Sequence, residues 1–285
     1  MIDNKDIDSY NETGYLVVEG ILDATELGRL REAVDRLVEG SRFITENDEL
    51  YDLEDDHDAN RPRVRRLKSP DRHDAVFKAL VGNAKVLDVL GRLWGTGIRF
   101  DVAKLNMKLG AGGAPVEWHQ DWAFYPHTND DLAAVGFMLD DMTEANGPLL
   151  VLPGSHRGPV YSHHVDGVFC GAVDIEAEGI DVSAAHTLTA PAGSISIHHV
   201  RALHGSAPNR SGDPRRLLLH QYCASDAWPL VRPLSYDQYC AALVAGEPTI
   251  RPRMQDLPVL MPFKPAPSQG SIYENQRSAT RRYFA

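Results

Sequence analysis

Apolar residues recur at helical spacing in the first third of the chain and at strand spacing further on. Asp23 and Glu26 have the spacing of a capping box, and the apolar positions that follow them continue up to Gly40. Taken in order, the pattern predicts a polar helix at 2–10, a strand at 14–18, a helix from 23 to 40 and a helix at 73–96. We therefore expect residues 1–97 to form a mostly helical supporting layer.

Short apolar or alternating segments, separated by Gly, Pro, Asn and Asp, occupy the chain from Ile98 onward. They lie at 100–108, 133–139, 149–152, 186–190, 194–198 and 216–223. Evenly spaced short strands of this kind are typical of an antiparallel sandwich or barrel. The predicted fold is mainly β with a helical N-terminal layer. Residues 98–228 are its core, 229–285 form a tail that wraps the core, and 1–285 make a single domain.

Residues 41–72 are strongly polar and are predicted to be a long loop. A solvated surface excursion and a lid over a site are the two interpretations of this segment. It contains the basic cluster of Arg63, Arg65, Arg66 and Lys68. That cluster either faces solvent or holds an anionic group of a substrate or cosubstrate.

Charge and composition exclude several classes of function. The 285 residues include 29 Lys and Arg against 40 Asp and Glu, which gives a formal net charge of −11. Nucleic-acid binding requires a basic face, so neither nucleic acid nor an anionic membrane is expected as the main partner. No apolar run approaches the ~18 residues of a membrane-spanning helix. The three cysteines are odd in number and widely spaced, which favours a cytoplasmic location.

His119 and Asp121 are the first candidate metal ligands. In an extended segment, residues i and i+2 point to the same face, so an imidazole and a carboxylate can aim at one point. His204 follows a predicted strand and supplies a third ligand. Two histidines and one carboxylate form the ligand face that suits Fe(II) with open coordination positions.

Arg215 begins the strand that follows the turn after His204. Antiparallel neighbours would bring these two residues to the same pocket, where a guanidinium fork suits bidentate capture of a carboxylate. The formal charges of such a pocket also balance. Fe(II), Asp121 and a 2-oxoglutarate dianion together leave one negative charge, which Arg215 neutralises. A buried dianion without such a partner would be very costly.

Three motifs make the chain resemble the phytanoyl-CoA dioxygenase family of Fe(II)/2-oxoglutarate oxygenases. They are Trp-His-Gln-Asp-Trp at 118–122, Asn-Gly-Pro-Leu-Leu-Val-Leu-Pro-Gly-Ser-His at 146–156, and His-Gly-Ser at 204–206 with Arg215 eleven residues past His204. The resemblance implies a double-stranded β-helix, also called a cupin-like jelly roll. It implies iron held by His119, Asp121 and His204, and the far carboxylate of 2-oxoglutarate held by Arg215 with help from Ser206.

Further cosubstrate positions are expected from the same resemblance. Lys104 stands fifteen residues before the first motif histidine, and Phe137 stands eighteen after it. Gln120, which lies between His119 and Asp121, is also expected to contact the cosubstrate. Core packing is the other interpretation of Phe137.

The implied reaction is hydroxylation, or a related oxidation, of an unactivated C–H bond in a small metabolite or natural-product intermediate. O₂ is consumed, and succinate and CO₂ are the co-products. Asp121 matters here because halogenating relatives lack this carboxylate. Two alternatives stay open: a cupin-like metalloenzyme of isomerase type that does not use 2-oxoglutarate, and a non-catalytic binding protein. The residues indicate neither the substrate nor the oligomeric state.

Overall fold

Two antiparallel β-sheets face each other, and helices cover the outer side of the larger sheet. The computed structural model describes residues 2–110, 112–260 and 271–284. The strands are β1 (Tyr15–Val18), β2 (Tyr51–Leu53), β3 (Val64–Lys68), β4 (Ile98–Lys108), β5 (Val116–His119), β6 (Leu132–Met138), β7 (Leu149–Val151), β8 (His164–Val165), β9 (Val168–Phe169), β10 (His186–Leu188), β11 (Ile195–His199), β12 (His204–Ser206), β13 (Arg215–Ala224) and β14 (Leu243–Ala245).

Strands distant in sequence are neighbours in both sheets. The larger sheet has the order β1-β11-β6-β13-β4-β3-β2, with β14 also paired to β4. The smaller sheet has the order β10-β7-β12-β5, and β8 and β9 form a separate ribbon. This two-sheet arrangement confirms the predicted mainly β fold of the jelly-roll type.

The α-helices are short apart from one near the N-terminus. They are α1 (Asn4–Thr13), α2 (Ala24–Gly40), α3 (Ala75–Leu80), α4 (Ala84–Trp94), α5 (Tyr236–Ala242) and α6 (Ile272–Asn275). The capping box at Asp23 and Glu26 is formed, so α2 begins where the sequence predicts it. The predicted helix over 73–96 is instead two helices, because the side chain of Asn83 caps the first turn of α4. None of the described helices is long and apolar enough to cross a membrane.

The register of the larger sheet separates an apolar face from a polar one. On the outer face, Leu218 of β13 is paired with Phe137 of β6 and Leu105 of β4, and all three are buried. This face and helices α2 to α4 enclose the main hydrophobic core. On the inner face, Leu217 is paired with Asn106, and Arg215 with Lys108. The inner face therefore carries polar and charged side chains toward the smaller sheet.

The prediction that residues 41–72 are a long loop is wrong in part. The segment contains β2 and β3, which extend the larger sheet beyond β4. Arg66 and Lys68 face inward beside β4, whereas Val64 and Leu67 are buried on the outer side. The charged residues lower the apolar content of the segment, and for that reason it resembles a solvated loop in sequence.

The tail after residue 228 packs back onto the core. β14 pairs with β4, and just after α6 the side chain of Gln276 exchanges hydrogen bonds with the backbone of Glu117 in β5. Residues 261–270 and 285 of the predicted tail lie outside the described residues. The assignment of 1–285 to a single domain stays a prediction.

Acid should destabilise the protein in part through His220. Its imidazole is fully buried on the outer face of β13, and burial lowers its pKa to about 3. The unfolded chain, with a histidine pKa of about 6.5, binds this proton first, so stability is lost as the pH falls below that value. Between pH 7 and pH 5 this group alone should cost about 2 kcal/mol. Chemical denaturation should show a shallower loss over this range for His220→Phe, whereas exposed His73→Gln should keep the parental slope.

Candidate active site

Three side chains from two adjacent strands of the smaller sheet converge on one point. His119 ends β5, Asp121 begins the 3₁₀ turn that follows, and His204 begins β12 directly opposite His119. One nitrogen from each histidine and one carboxylate oxygen all lie within 4.8 Å of one another. Gln120 between them is extended, so the i, i+2 relation places His119 and Asp121 on the same side.

Backbone carbonyls fix the orientation of both imidazoles. Nδ1 of His119 lies 2.8 Å from the carbonyl oxygen of Glu117, and Nδ1 of His204 lies 2.9 Å from that of Ala202. A carbonyl only accepts, so each Nδ1 donates and each Nε2 keeps its lone pair for the shared point. Burial lowers the pKa of His119 to about 4 and that of His204 well below its usual value. Both rings are therefore neutral near pH 7, the form that binds metal.

The carboxylate of Asp121 is held in its charged form. Burial alone would raise its pKa, but the positive charge of Lys104 and the neighbouring imidazole of His198 outweigh burial and hold the pKa well below the usual value. Oδ1 lies 3.9 Å from Nε2 of His119 and 4.0 Å from Nζ of Lys104. Oδ2 lies 3.5 Å from Nε2 of His198. The buried anion thus has a cationic side chain and an imidazole as neighbours in addition to the two candidate ligands.

Arg215 forms a second charged point on the facing sheet. Its guanidinium is 2% exposed and donates from Nε (3.1 Å) and Nη2 (2.5 Å) to the carbonyl oxygen of Gly147. Burial lowers its pKa to about 10, so it stays positive near pH 7. Among the described residues, no carboxylate oxygen lies within 4.0 Å of it. A buried cation without a carboxylate partner is the expected binding point for an anionic ligand.

The three converging side chains and Arg215 line one cavity between the sheets. The cavity has about 470 Å³ of empty space when its mouth is included. Its lining combines the candidate ligands with residues of both sheets and of the tail. They are Lys104, Asn106, Val116, His119, Asp121, Leu149, His198, His204, Gly205, Ser206, Arg215, Leu217, Leu219, Ile272 and Tyr273. Of the predicted site residues, His119, Asp121, His204, Arg215, Ser206 and Lys104 meet here.

Gln120 does not line the cavity. Its side-chain amide donates to the carbonyl oxygens of Pro159 (3.1 Å) and Arg201 (2.9 Å), and its carbonyl accepts from the backbone of Tyr161 at 2.9 Å. These bonds point away from the site because Gln120 alternates with His119 and Asp121 along the extended backbone. The side chain of Gln120 is thus engaged away from the cavity, where it ties down the turn that carries Asp121.

Phe137 does not line the cavity either. It is fully buried on the outer face of the larger sheet, where its ring lies 5.0 Å from that of His220. Gly136, its neighbour in β6, occupies the inner face instead, opposite Leu219. The structure places Phe137 in core packing, because one residue of strand offset reverses the face.

Three polar lining residues were missed in the sequence. Asn106 lies two positions after Lys104 on β4, so strand alternation alone could have placed it on the same face. The ring of His198 lies 4.2 Å from the ring of His204, a contact between the two sheets that no local spacing predicts. Tyr273 comes from α6 in the tail, and no local pattern predicts its contact with the cavity.

A comparison with protein families matches residues 10–217 to the family described as Phytanoyl-CoA dioxygenase (PhyH). The chain belongs to this family. Membership confirms the predicted resemblance and the predicted class, a 2-oxoglutarate-dependent non-haem iron dioxygenase. The match covers most of the core and every predicted site residue up to Arg215.

Two curated relatives agree with this membership, and one solved structure shares the fold. It is 39% identical over 279 residues to a probable alpha-ketoglutarate-dependent hypophosphite dioxygenase of Stutzerimonas stutzeri, covering 96% of this chain and 97% of that protein. It is 30% identical to an L-proline trans-4-hydroxylase of Streptomyces griseoviridis, covering 75% and 83%. The crystal structure of EctD from S. alaskensis with bound Fe has a TM-score of 0.68 at 23% identity, with coverage of 88% and 87%. The last likeness supports the fold.

Replacing Gln120 by leucine should weaken divalent metal binding. The change leaves buried backbone groups unsatisfied, each at a cost of about 1–3 kcal/mol, and frees the turn that positions Asp121. We expect a loss of about 10-fold or more in affinity for Zn(II), measured by competition with a chelating dye. The exposed Gln255→Leu serves as the matched control and should bind Zn(II) as the parent does. Unchanged Zn(II) affinity in Gln120→Leu would contradict this role.

Proposed function

We propose that the protein uses Fe(II), 2-oxoglutarate and O₂ to hydroxylate an unactivated C–H bond of a small metabolite or natural-product intermediate. The observation that carries this proposal is the shared cavity, in which His119, Asp121 and His204 converge and Arg215 lies on the facing sheet. When bound, the iron and its cosubstrate supply an oxidant strong enough to break such a bond, and succinate and CO₂ are released.

The donor set fits a divalent iron. Two neutral Nε2 atoms and one carboxylate leave coordination positions open, as the facial triad of Fe(II) oxygenases requires. In this proposal His119, Asp121 and His204 hold the metal. Their backbone hydrogen bonds keep the Nε2 atoms directed at it and so limit the reorganisation needed on binding.

The far end of the cavity fits a dicarboxylate cosubstrate. In this proposal Arg215 binds the carboxylate of 2-oxoglutarate that is remote from the metal, and the hydroxyl of Ser206 assists. Ser206 and His204 share a face of β12, so one strand serves both the metal and the cosubstrate. The amide of Asn106, whose Oδ1 has no hydrogen-bond partner among the described residues, lies on the lining between the two ends.

Space in the cavity favours a small substrate. The roughly 470 Å³ of empty space must hold a metal ion and the five-carbon cosubstrate as well as the substrate. The predicted small-molecule substrate agrees with these dimensions.

A second candidate is oxidation of a P–H bond, as the name of the hypophosphite dioxygenase relative suggests. Identity of 39% across nearly the whole of both chains favours it. The balance is that of a hydroxylation: one oxygen atom of O₂ enters the P–H bond to give P–OH, and the other enters succinate. Both candidates use the same metal and cosubstrate, so they differ only in the bond presented to the oxidant.

The isomerase alternative has no use for Arg215. An enzyme that used the metal alone would keep its activity without O₂ and without 2-oxoglutarate. Turnover under strict anaerobiosis would therefore favour that alternative over the proposed function.

Replacing Arg215 by methionine should remove most of the affinity for 2-oxoglutarate. Loss of one partner of a buried charge pair typically costs about 3–5 kcal/mol, so we expect binding to weaken at least about 100-fold. Calorimetric titration of the Zn(II)-loaded protein measures this directly. Affinity for Zn(II) should stay within about threefold of the parent, because the guanidinium does not touch the metal ligands.

Arg216→Met is the matched control for this experiment. Arg216 is the next residue along β13, pairs with Asp140 and lies on the opposite face. Its loss should lower stability while the affinity for 2-oxoglutarate stays parental. Equal 2-oxoglutarate affinity in the Arg215 and Arg216 variants would refute the proposed clamp.

A further inference from the structure

Two side chains at the metal end of the cavity are neither candidate metal ligands nor neighbours of Arg215. They are Lys104 on β4 and His198 on β11, on the inner face of the larger sheet. Nζ of Lys104 lies 4.0 Å from Asp121 Oδ1, and Nε2 of His198 lies 3.5 Å from Oδ2. Their side chains are 12% and 2% exposed. A cation and an imidazole thus lie beside the point where the substrate would meet the metal.

Strand register keeps Lys104 away from the cosubstrate clamp. Lys104 is paired with Leu219, and Arg215 lies four residues before Leu219 on the same strand. Four residues of antiparallel strand span about 13 Å, with Leu217 and Asn106 in between. Lys104 and Arg215 therefore cannot bind the same carboxylate, and Lys104 serves the metal end.

Charge in the cavity is unbalanced without a further anion. With Fe(II), 2-oxoglutarate, Asp121 and Arg215 in place, the positive and negative charges cancel. Lys104 then adds one positive charge. Asp121 is the single acidic residue in the described lining, and it is shared with the metal. Lys68, next to Lys104 on β3, has its own partner in Asp52 at 3.0 Å.

His198 adds an unused hydrogen-bonding atom. Nδ1 and Nε2 are both buried and have no hydrogen-bond partner among the described residues. Nε2 lies 3.5 Å from Asp121 Oδ2, so Nδ1 is the ring atom left for another group. A buried polar atom without a partner costs about 1–3 kcal/mol, which a ligand in the cavity would recover.

We propose that Lys104 and His198 bind the anionic group of a substrate that carries a single negative charge. The inference rests on the proposed function and narrows its substrate to a small monovalent oxyanion, either a phosphinate or a carboxylate. Lys104 supplies the charge and His198 a hydrogen bond to one oxygen. Together they hold the group beside the metal, so the bond to be oxidised lies next to the charged group.

The test uses Zn(II)-loaded protein with saturating 2-oxoglutarate, so that binding is measured without turnover. Calorimetric titrations with hypophosphite, acetate and uncharged dimethylphosphine oxide compare the three probes. We expect at least one anion to bind about 10-fold or more tightly than the uncharged probe. Tighter binding of hypophosphite identifies a phosphinate substrate, and tighter binding of acetate a carboxylate one.

Variants assign this preference to the two residues. Lys104→Met should weaken binding of the preferred anion at least about 10-fold, whereas Lys104→Arg should retain most of it. His198→Phe should weaken it about 5- to 10-fold through the lost hydrogen bond. Exposed Lys78→Met removes the same charge from the surface and should bind as the parent does. Affinity for 2-oxoglutarate should be parental in all four variants, which also shows that they fold.

Each failure has its own meaning. If the parent binds 2-oxoglutarate but neither anion binds better than the uncharged probe, the inference is overturned and the proposed function stands. If Lys104→Met loses affinity for 2-oxoglutarate instead of for the anion, Lys104 serves the cosubstrate and the inference is also overturned. If the parent does not bind 2-oxoglutarate, the proposed function itself fails.

Discussion

The antiparallel pairing of β5 with β12 is the constraint on which the site depends. It places His204 opposite His119, and the residue after next from His119 supplies the carboxylate. Neither strand could shift by one residue without turning its histidine to the other face. The carbonyl oxygens that orient the two imidazoles belong to residues two positions earlier in each segment, so the backbone that sets the register also sets the ring orientation.

The larger sheet contributes charge along its inner face. Arg215 is paired with Lys108 across the strands, whereas Lys104 lies four residues before Lys108 on β4. Lys108 donates to the carbonyl oxygens of Ser206 and Ala207, and burial together with Arg215 holds its pKa well below the usual value. Of these three residues, Arg215 and Lys104 therefore carry the positive charge, and they lie toward the two ends of the cavity.

Much of the site follows from the sequence because its signals are local. His119 and Asp121 are two residues apart, and His204 and Arg215 flank one turn. The fold class follows from the strand spacing after Ile98 in the same way. The edge strands β2 and β3 cannot be predicted in this way. Their inward residues are charged, so the apolar residues on the outer side do not stand out in the sequence.

The face of the sheet on which a side chain lies is harder to predict where both faces of the strand are buried. All seven residues of β6 are buried, so alternation of apolar and polar residues gives no sign that Gly136 faces inward and Phe137 outward. The position of Tyr273 could not be predicted for another reason. It reaches the cavity from the far end of the chain, and its position depends on tertiary contacts that no short window of sequence contains.

The contacts of the tail connect Tyr273, which lines the cavity, to the metal end of the site. Gln276, just after α6, exchanges hydrogen bonds with the backbone of Glu117, and the carbonyl oxygen of Glu117 also accepts from Nδ1 of His119. The carboxylate of Glu117 accepts in turn from the backbone of Tyr283. One residue of β5 thus holds the tail on one side and orients a candidate ligand on the other. Displacing the tail would therefore open the cavity and loosen the imidazole together, so access to the site and its geometry are not independent.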